Sequence, residues 1–185
     1  MTAPVRSEPN NRQRSPSKRP NWICLTGAKS VGLVLIVIPG NSIGNSVAAT
    51  LKPAGLELSK GIVSDFYLKD PTDPEWHDDA GYKWWVGFMD KYYATGDKTD
   101  AGNVYGPSNA ATIVQVLKQC GDELTRENVM KQAANLHDFR VPMLLPGITI
   151  NTSPTDFAPV KQVQMGRFDG ERWRLFGSLL TGAVT

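Results

Sequence analysis

Cysteine is scarce in this sequence of 185 residues, and the two present, Cys24 and Cys120, lie far apart. A disulfide framework or a structural zinc site needs more ligands at closer spacing, so the pattern favours two free thiols over a bridge. Long apolar runs are also lacking. The run from Val31 to Ile38 is too short to span a bilayer as a helix. These absences argue against a disulfide-rich scaffold, a zinc-stabilised fold and a membrane-spanning helix.

Motifs for the common catalytic and cofactor sites are missing as well. The sequence has neither a Walker A loop nor a Gly-x-Gly-x-x-Gly fingerprint, and no serine or cysteine lies in a nucleophile elbow. His77 stands in "WHDD", whose adjacent side chains would not share one helix face, and its acidic pair suits a helix start without a metal. His137 follows a predicted helix end, where histidines commonly meet terminal carbonyls. We therefore expect no enzymatic activity, no metal site and no cofactor.

Charge is unevenly distributed along the chain. The net charge is +2, whereas the first 22 residues hold five basic residues and a single acidic one. This segment has almost no apolar content, so burial cannot offset its ordering entropy. We expect a disordered basic tail over residues 1–30 and a folded domain over residues 31–185. An adaptor that binds nucleic acid or a membrane surface through the tail is the alternative function, disfavoured because Trp22 is the tail's only aromatic residue.

Apolar patterning predicts an α/β body. The β-branched run from Val31 to Ile38 favours a buried strand, and an export signal ending at Val47-Ala48-Ala49 is the alternative. Asp169-Gly170 predicts a hairpin turn because both residues tolerate positive φ. The remaining predicted elements are an irregular helix over 48–58, helices over 74–92, 104–120 and 125–135, and strands over 61–67, 147–151, 161–168 and 171–176.

Helical spacing also predicts which side chains face the core. The first long helix is expected to bury one apolar face, and the second is expected to point three apolar residues inward. These residues are Tyr82, Trp85, Val86, Met89 and Tyr92 in the first helix and Ile113, Val116 and Leu117 in the second. Tyr105 lies where a loop enters the second helix, which leaves both a cleft-facing role and a packing role open.

Several segments together resemble one known family. They are "AGLELSKGIVSDFYLKDPTDPEW" (54–76), "KTDAGNVYGPSNAATIVQVLKQCGDELTRENVMKQAANL", "LLPGITINTSPTDFAPVKQVQMGRFDGERW" and "LFGSLLTG". In combination they are similar to the C-terminal part of periplasmic substrate-binding proteins of the branched-chain amino-acid type, which serve ABC transporters. The resemblance is close over residues 42–182 and extends back to about Val31.

The resemblance implies a partial type I periplasmic-binding-protein fold. In that family two α/β lobes are joined by three crossing segments and close over a ligand. This chain would supply the later part of the second lobe, helices that pack on the first lobe, and a C-terminal antiparallel hairpin. The segment "GIVSDFYLKDPTDPEW" would be a lobe strand that leaves its sheet as a crossing segment. We expect the N-terminal lobe to be missing, so that the chain is a fragment.

The resemblance also implies a function and a set of ligand contacts. The function would be solute binding for an ABC transporter of branched-chain amino acids or related small carboxylates, in the periplasm. The expected partners are a small-molecule ligand (a branched-chain or aromatic amino acid, or a related carboxylate) and a membrane permease, with no nucleic acid. Helix faces meant for the missing lobe, such as that of Ile113 and Leu117, would then be exposed and would favour self-association. The expected ligand-binding residues are Asn41, Ser42, Ile43, Phe66, Tyr67 and Tyr105, with core packing as the competing role of each.

Overall fold

A short strand, β2 (Val63–Phe66), lies at the middle of the sheet in the computed structural model of this chain. The structure describes residues 46–182 and the backbone of residues 37–38, and all of these belong to one unit, Leu33–Thr185. The predicted tail over residues 1–30 and the expected contacts at Asn41, Ser42 and Ile43 lie outside the described residues.

The described sheet has four strands in the order β1-β2-β3-β4, with β1 Val37–Ile38, β3 Gln162–Phe168 and β4 Trp173–Thr181. Strands β1 and β2 are parallel, and β2, β3 and β4 are antiparallel neighbours. The β-branched run ending at Ile38 thus pairs as a strand where it is described. The predicted strand over residues 61–67 is confirmed in a shorter form by β2.

The turn between β3 and β4 is longer than the two-residue turn predicted from Asp169-Gly170. The strands close at the pair Phe168 and Trp173, so four residues form the loop. Only Gly170 of these has positive φ, at 107°. Asp169 instead accepts hydrogen bonds from the backbone N–H groups of Glu171 (2.9 Å) and Arg172 (2.8 Å). These bonds, with a further one from Arg174, hold the pKa of Asp169 well below its ordinary value.

The strand predicted over residues 147–151 does not form. Ile150 makes a single antiparallel bridge with Phe139, and the next backbone N–H, that of Asn151, donates to Pro159 O at 3.0 Å. Because neighbouring residues bond to two different segments, no continuous ladder develops. Asp138, beside Phe139, has φ of 47°, which turns the chain away from the extended geometry that a longer strand needs.

The helical elements agree with the predicted helices within a few residues. The irregular helix over 48–58 is a π-helical turn, Val47–Leu51, followed by α1 (Lys52–Ala54) and α2 (Leu56–Ser59). The predicted helix from residue 74 is a 3₁₀ turn, Pro74–Trp76, followed by the long α3. The longer helices are α3 (Ala80–Tyr92), α4 (Gly102–Cys120) and α5 (Arg126–Ala133). Cys120 is buried with a free thiol, as predicted, whereas Cys24 lies outside the described residues.

Two extended segments meet just beyond β2, and we call them the junction: Tyr67–Lys69 and Met143–Leu145. Leu68 forms an antiparallel bridge with Leu144. The N–H of Leu145 donates to Tyr67 O and the N–H of Lys69 donates to Met143 O, both at 2.9 Å. The strand that leaves the sheet is therefore paired again at once, which holds the exit direction of the chain.

The junction separates two apolar clusters. The larger lies around the sheet and includes Phe66, Phe168 and Trp173, and the smaller comprises Trp85, Met89, Val104 and Met143. Leu68 of the junction packs against both. Helix α4 also serves both clusters, because its start contributes to the smaller one and its end, at Val116 and Cys120, to the larger one.

Two predictions of core-facing residues need correction. Tyr92 was expected to continue the apolar face of α3, yet it is 65% exposed, since it is the last residue of the helix and lies beyond the small cluster. In α4 only Val116 points inward, whereas Ile113 is 60% and Leu117 42% exposed. This exposure is what the expected self-association would require, although association itself stays a prediction.

A proline inside α4 creates the hydrogen bond that ties α4 to α3. Pro107 has no N–H, so the carbonyl of Asn103, four residues earlier, loses its usual helical partner. The indole N–H of Trp85 donates to that carbonyl at 3.1 Å, and the Trp85 side chain is fully buried. The proline therefore frees an acceptor that a buried indole needs.

An ion pair anchors the junction to the start of α3. The ammonium of Lys69, which is almost fully buried, donates to Asp79 Oδ1 at 2.5 Å and to Pro142 O at 3.0 Å. Asp79 is the N-cap of α3 and also accepts the N–H groups of Gly81 and Tyr82. Desolvation acts to raise the pKa of Asp79, but the bond from Lys69 and the two N–H bonds outweigh it and lower this pKa. The interpretation of the acidic pair as a helix start is confirmed.

Candidate functional site

A pocket of about 500 Å³ lies between the junction, α4 and the start of β3. We call it the tyrosine pocket because Tyr67 and Tyr105 lie together in its wall. Most of its lining is apolar, and the polar groups come from β2, from the first tyrosine and from one face of α4. The lining residues are Asp65, Tyr67, Leu68, Tyr105, Ser108, Asn109, Thr112, Val141, Leu144, Ile150, Pro159, Val160 and Val163.

The two tyrosines form an edge-to-face pair. Their ring centroids are 6.2 Å apart and the ring planes meet at 73°, a geometry that aromatic pairs prefer. Tyr67 is held by the junction, through its carbonyl, and Tyr105 lies in the first turn of α4. Two of the residues that the sequence proposed for ligand contact are thus brought side by side.

The hydroxyl of Tyr67 titrates well above the ordinary range. Burial is the largest cause that raises its pKa, followed by hydrogen bonding and charge interaction with Tyr105 and by the negative charge of Asp65. Tyr67 therefore keeps its hydroxyl proton at neutral pH.

The two hydroxyl groups on the polar face of α4 offer acceptor oxygens to the pocket. Ser108 donates its hydroxyl to Val104 O at 2.8 Å, and Thr112 donates to Ser108 O at 3.0 Å. With their hydrogens used inside the helix, both hydroxyl oxygens retain lone pairs for a ligand. Asn109 lies on the same face and adds an amide that can donate or accept.

The remaining residues expected at the site are placed elsewhere. Phe66 is 6% exposed, and its ring lies 4.9 Å from that of Trp173 in the larger cluster. Successive residues of a strand point to opposite faces, so Phe66 faces away from the pocket that Asp65 and Tyr67 line. Phe66 therefore has the competing role, which is core packing.

Sequence reasoning missed Asp65 and the α4 residues of the pocket. Asp65 and Tyr67 are two apart on a strand, so they share a face. Tyr105, Ser108, Asn109 and Thr112 follow the i, i+3, i+4, i+7 spacing of one helix face. The spacing of the polar residues, considered together with that of the apolar ones, would have predicted that each set lies on one face.

Among the described residues no group of three or more histidine, cysteine, aspartate or glutamate side chains could hold a metal ion. Within the same part of the chain, none of the helices combines the length and apolar character needed to cross a membrane.

Comparison with solved structures identifies the fold. The chain is similar to a branched-chain amino acid ABC transporter protein from Thermus thermophilus with bound valine, at a TM-score of 0.65 and 16% identity, over 86% of this chain and 42% of the other. It is also similar to a possible leucine/isoleucine/valine-binding protein from Rhodopirellula baltica SH 1, at a TM-score of 0.55 and 14% identity, over 77% and 36%. No family model and no curated protein matches the sequence.

These matches confirm that the chain has part of the type I periplasmic-binding-protein fold, as its motifs predicted. The chain spans about two fifths of the length of the solved proteins it matches. At such low identity the likeness establishes the fold, and the function has to be argued from the pocket.

Proposed function

We propose that this chain forms part of the solute-binding component of an ABC transporter for branched-chain amino acids or related small carboxylates. The tyrosine pocket is its contribution to the ligand site. The observation that carries the proposal is the placement of this largely apolar pocket, with its paired tyrosines, directly beside the junction of a substrate-binding fold.

The pocket suits a small ligand with an aliphatic body. Its volume of about 500 Å³ lies within the range of small-molecule sites, which are mostly apolar with a few well-placed polar groups. Leu68, Val141 and Leu144 supply apolar wall, and the hydroxyl and carboxylate oxygens supply polar contacts. No nucleophile paired with a base lines the pocket among the described residues, which supports binding rather than catalysis.

The mechanism would be a population shift. A ligand that contacts both lobes of such a fold favours the closed form, and a permease in the membrane reads that form. The junction beside the pocket is where such closure would bend the chain. A periplasmic location and a permease partner are parts of this proposal.

In this proposal the described residues supply one wall of the cleft, which sets the expected affinity. Contacts from one wall alone should give a dissociation constant of about 1 mM for valine, worth about −4 kcal/mol. A two-dimensional NMR titration of the full chain, following the Tyr67 and Tyr105 ring resonances, measures this range directly. Saturable shifts of these rings with a millimolar constant support the proposal. A micromolar constant, or no saturable shift at valine concentrations up to about 50 mM, contradicts it.

A pair of tyrosine variants provides the control. Tyr105→Ala removes half of the edge-to-face pair and should weaken valine binding about fivefold or more. Tyr92→Ala removes an exposed tyrosine outside the pocket and should leave the valine constant unchanged. Equal effects of the two variants would show that valine binds somewhere else.

A further inference from the structure

Lys69 is the most buried basic side chain among the ion pairs that the structure describes. It is 7% exposed, whereas the basic side chains of the other described ion pairs are 30% exposed or more. Its ammonium donates to Asp79 Oδ1 and to Pro142 O, and the centre of the Trp76 ring lies 5.6 Å from Nζ. Because a buried charge without partners is costly, the ammonium is stable there only while these contacts persist.

The partners of Lys69 belong to three separate parts of the junction region. Lys69 ends the first junction segment, Pro142 directly precedes the second, and Asp79 is the N-cap of α3. The backbone N–H of Lys69 also donates to Met143 O at 2.9 Å. Lys69 is thus bonded to two successive residues of one segment and to the first turn of a helix. A single side chain therefore joins both junction segments to α3.

We propose that Lys69 is a latch: the junction opens only when the Lys69 ammonium leaves Asp79 and Pro142, and until then the latch holds one wall of the tyrosine pocket in place. Tyr67 and Leu68, the two residues before Lys69, line that pocket. Separation of the junction segments would therefore displace the pocket wall and break the ion pair in the same step. This inference concerns the chain itself and does not depend on which ligand the pocket takes.

The directional bonds of the latch distinguish it from the apolar packing around it. Leu68 packs against both apolar clusters, and contacts of this kind are non-directional, so they tolerate small displacements. The ammonium of Lys69 instead makes charge-assisted hydrogen bonds, which are lost as soon as the acceptors move away in a site that water reaches poorly. We therefore expect the ion pair to govern how often the junction opens.

Residue-resolved amide hydrogen exchange on the full chain tests the latch. In the wild type the Leu145 amide, which donates to Tyr67 O, should be less protected than the sheet amide of Phe168, because the junction opens without global unfolding. Lys69→Met removes the ammonium and keeps an apolar side chain of nearly the same length. The Leu145 amide should then exchange at least about tenfold faster. An unchanged Leu145 rate would show that the ion pair survives opening and would overturn the proposal, as would equal wild-type protection of the two amides.

Two further variants give the control and a second route. Lys83→Met removes the exposed ion pair with Asp78 at the start of the same helix and should leave the Leu145 rate unchanged. Equal acceleration by Lys83→Met and Lys69→Met would contradict the latch. Asp79→Asn keeps a capping side chain and removes the charge, so it should also speed exchange at Leu145, and it decides the matter if Lys69→Met does not fold. Where both fold, the double variant should exchange little faster than Lys69→Met alone, whereas additive effects would overturn the proposal.

Discussion

At the scale of single residues, Gly81 shows how closely α3 approaches the loop before the second junction segment. A side-chain carbon built on Gly81 would lie 1.9 Å from Pro142 O, far inside any real contact. The carbonyl that would clash is the same one that accepts a hydrogen bond from Lys69. Glycine at this position thus allows the N-terminus of α3, its N-cap Asp79 and the junction to meet.

Gly81→Ala should destabilise the fold by about 2 kcal/mol or more, because a clash with backbone can be relieved only by moving α3 or the loop. Gly87→Ala lies in the same helix with nothing within 4 Å of the added carbon, and it should stabilise by about 0.5 to 1 kcal/mol. Urea unfolding of both variants measures the difference. Loss of stability of the same size in both would mean that α3 does not approach Pro142 in this way.

Single residues also show which roles could be predicted from the sequence. The helix-start role of Asp79 was readable because capping depends on neighbours in sequence. The partnership of Asp79 with Lys69 was not readable, since the two residues are ten apart and meet only after the loop between them has folded. Asp65 shares a strand face with Tyr67, which the alternation of a strand made readable, but its other polar neighbours in the pocket come from α4.

At the scale of elements, the contact between α3 and α4 depends on a missing helical hydrogen bond. Pro107 leaves the Asn103 carbonyl without its helical donor, and the indole N–H of Trp85 donates a hydrogen bond to it instead. Such an arrangement makes the two residues energetically dependent on each other, although they lie on different helices. Its consequence is measurable in a double-mutant cycle.

Trp85→Phe should destabilise the chain by about 1 to 3 kcal/mol, since it leaves a buried carbonyl without a donor and a smaller ring in a packed site. Pro107→Ala restores an N–H that can bond to Asn103 O. It should therefore be more favourable, by about 1 kcal/mol, in the Trp85→Phe background than in the wild type. Thermal or urea unfolding of the four chains gives this coupling energy. A coupling near zero would contradict the shared role of the carbonyl.

Element prediction succeeded where the local pattern decides and failed where partners decide. Helices α3 and α5 begin at side-chain caps, Asp79 and Thr125, and α4 ends at Gly121, so their existence was predictable. Residues 147–151 have a strand-like composition, but their backbone bonds divide between Phe139 and Pro159. The exposure of Ile113 and Leu117 likewise depends on what packs against α4, which periodicity alone does not give.

At the scale of the whole molecule, the sequence motifs and the three-dimensional match indicate the same fold. The motifs of the sequence resembled the C-terminal part of periplasmic substrate-binding proteins, and the structure matches two solved proteins over most of this chain. The pocket lies beside the junction, where the proposed closure would take place. Sequence reasoning placed Tyr67 and Tyr105 near this region through the resemblance, whereas their mutual contact depends on the packing of α4 against the junction.

The most direct test of the central claim is a thermal unfolding scan of the full chain with and without valine. At a constant of about 1 mM, about 50 mM valine should stabilise the native state by about 2 kcal/mol, because only a ligand that binds the folded form shifts the equilibrium. The midpoint should then rise by about 5 °C in the wild type and clearly less in Tyr105→Ala. An unfolding midpoint that valine does not change, or that rises equally in the wild type and in Tyr105→Ala, would contradict the claim that the tyrosine pocket binds the ligand.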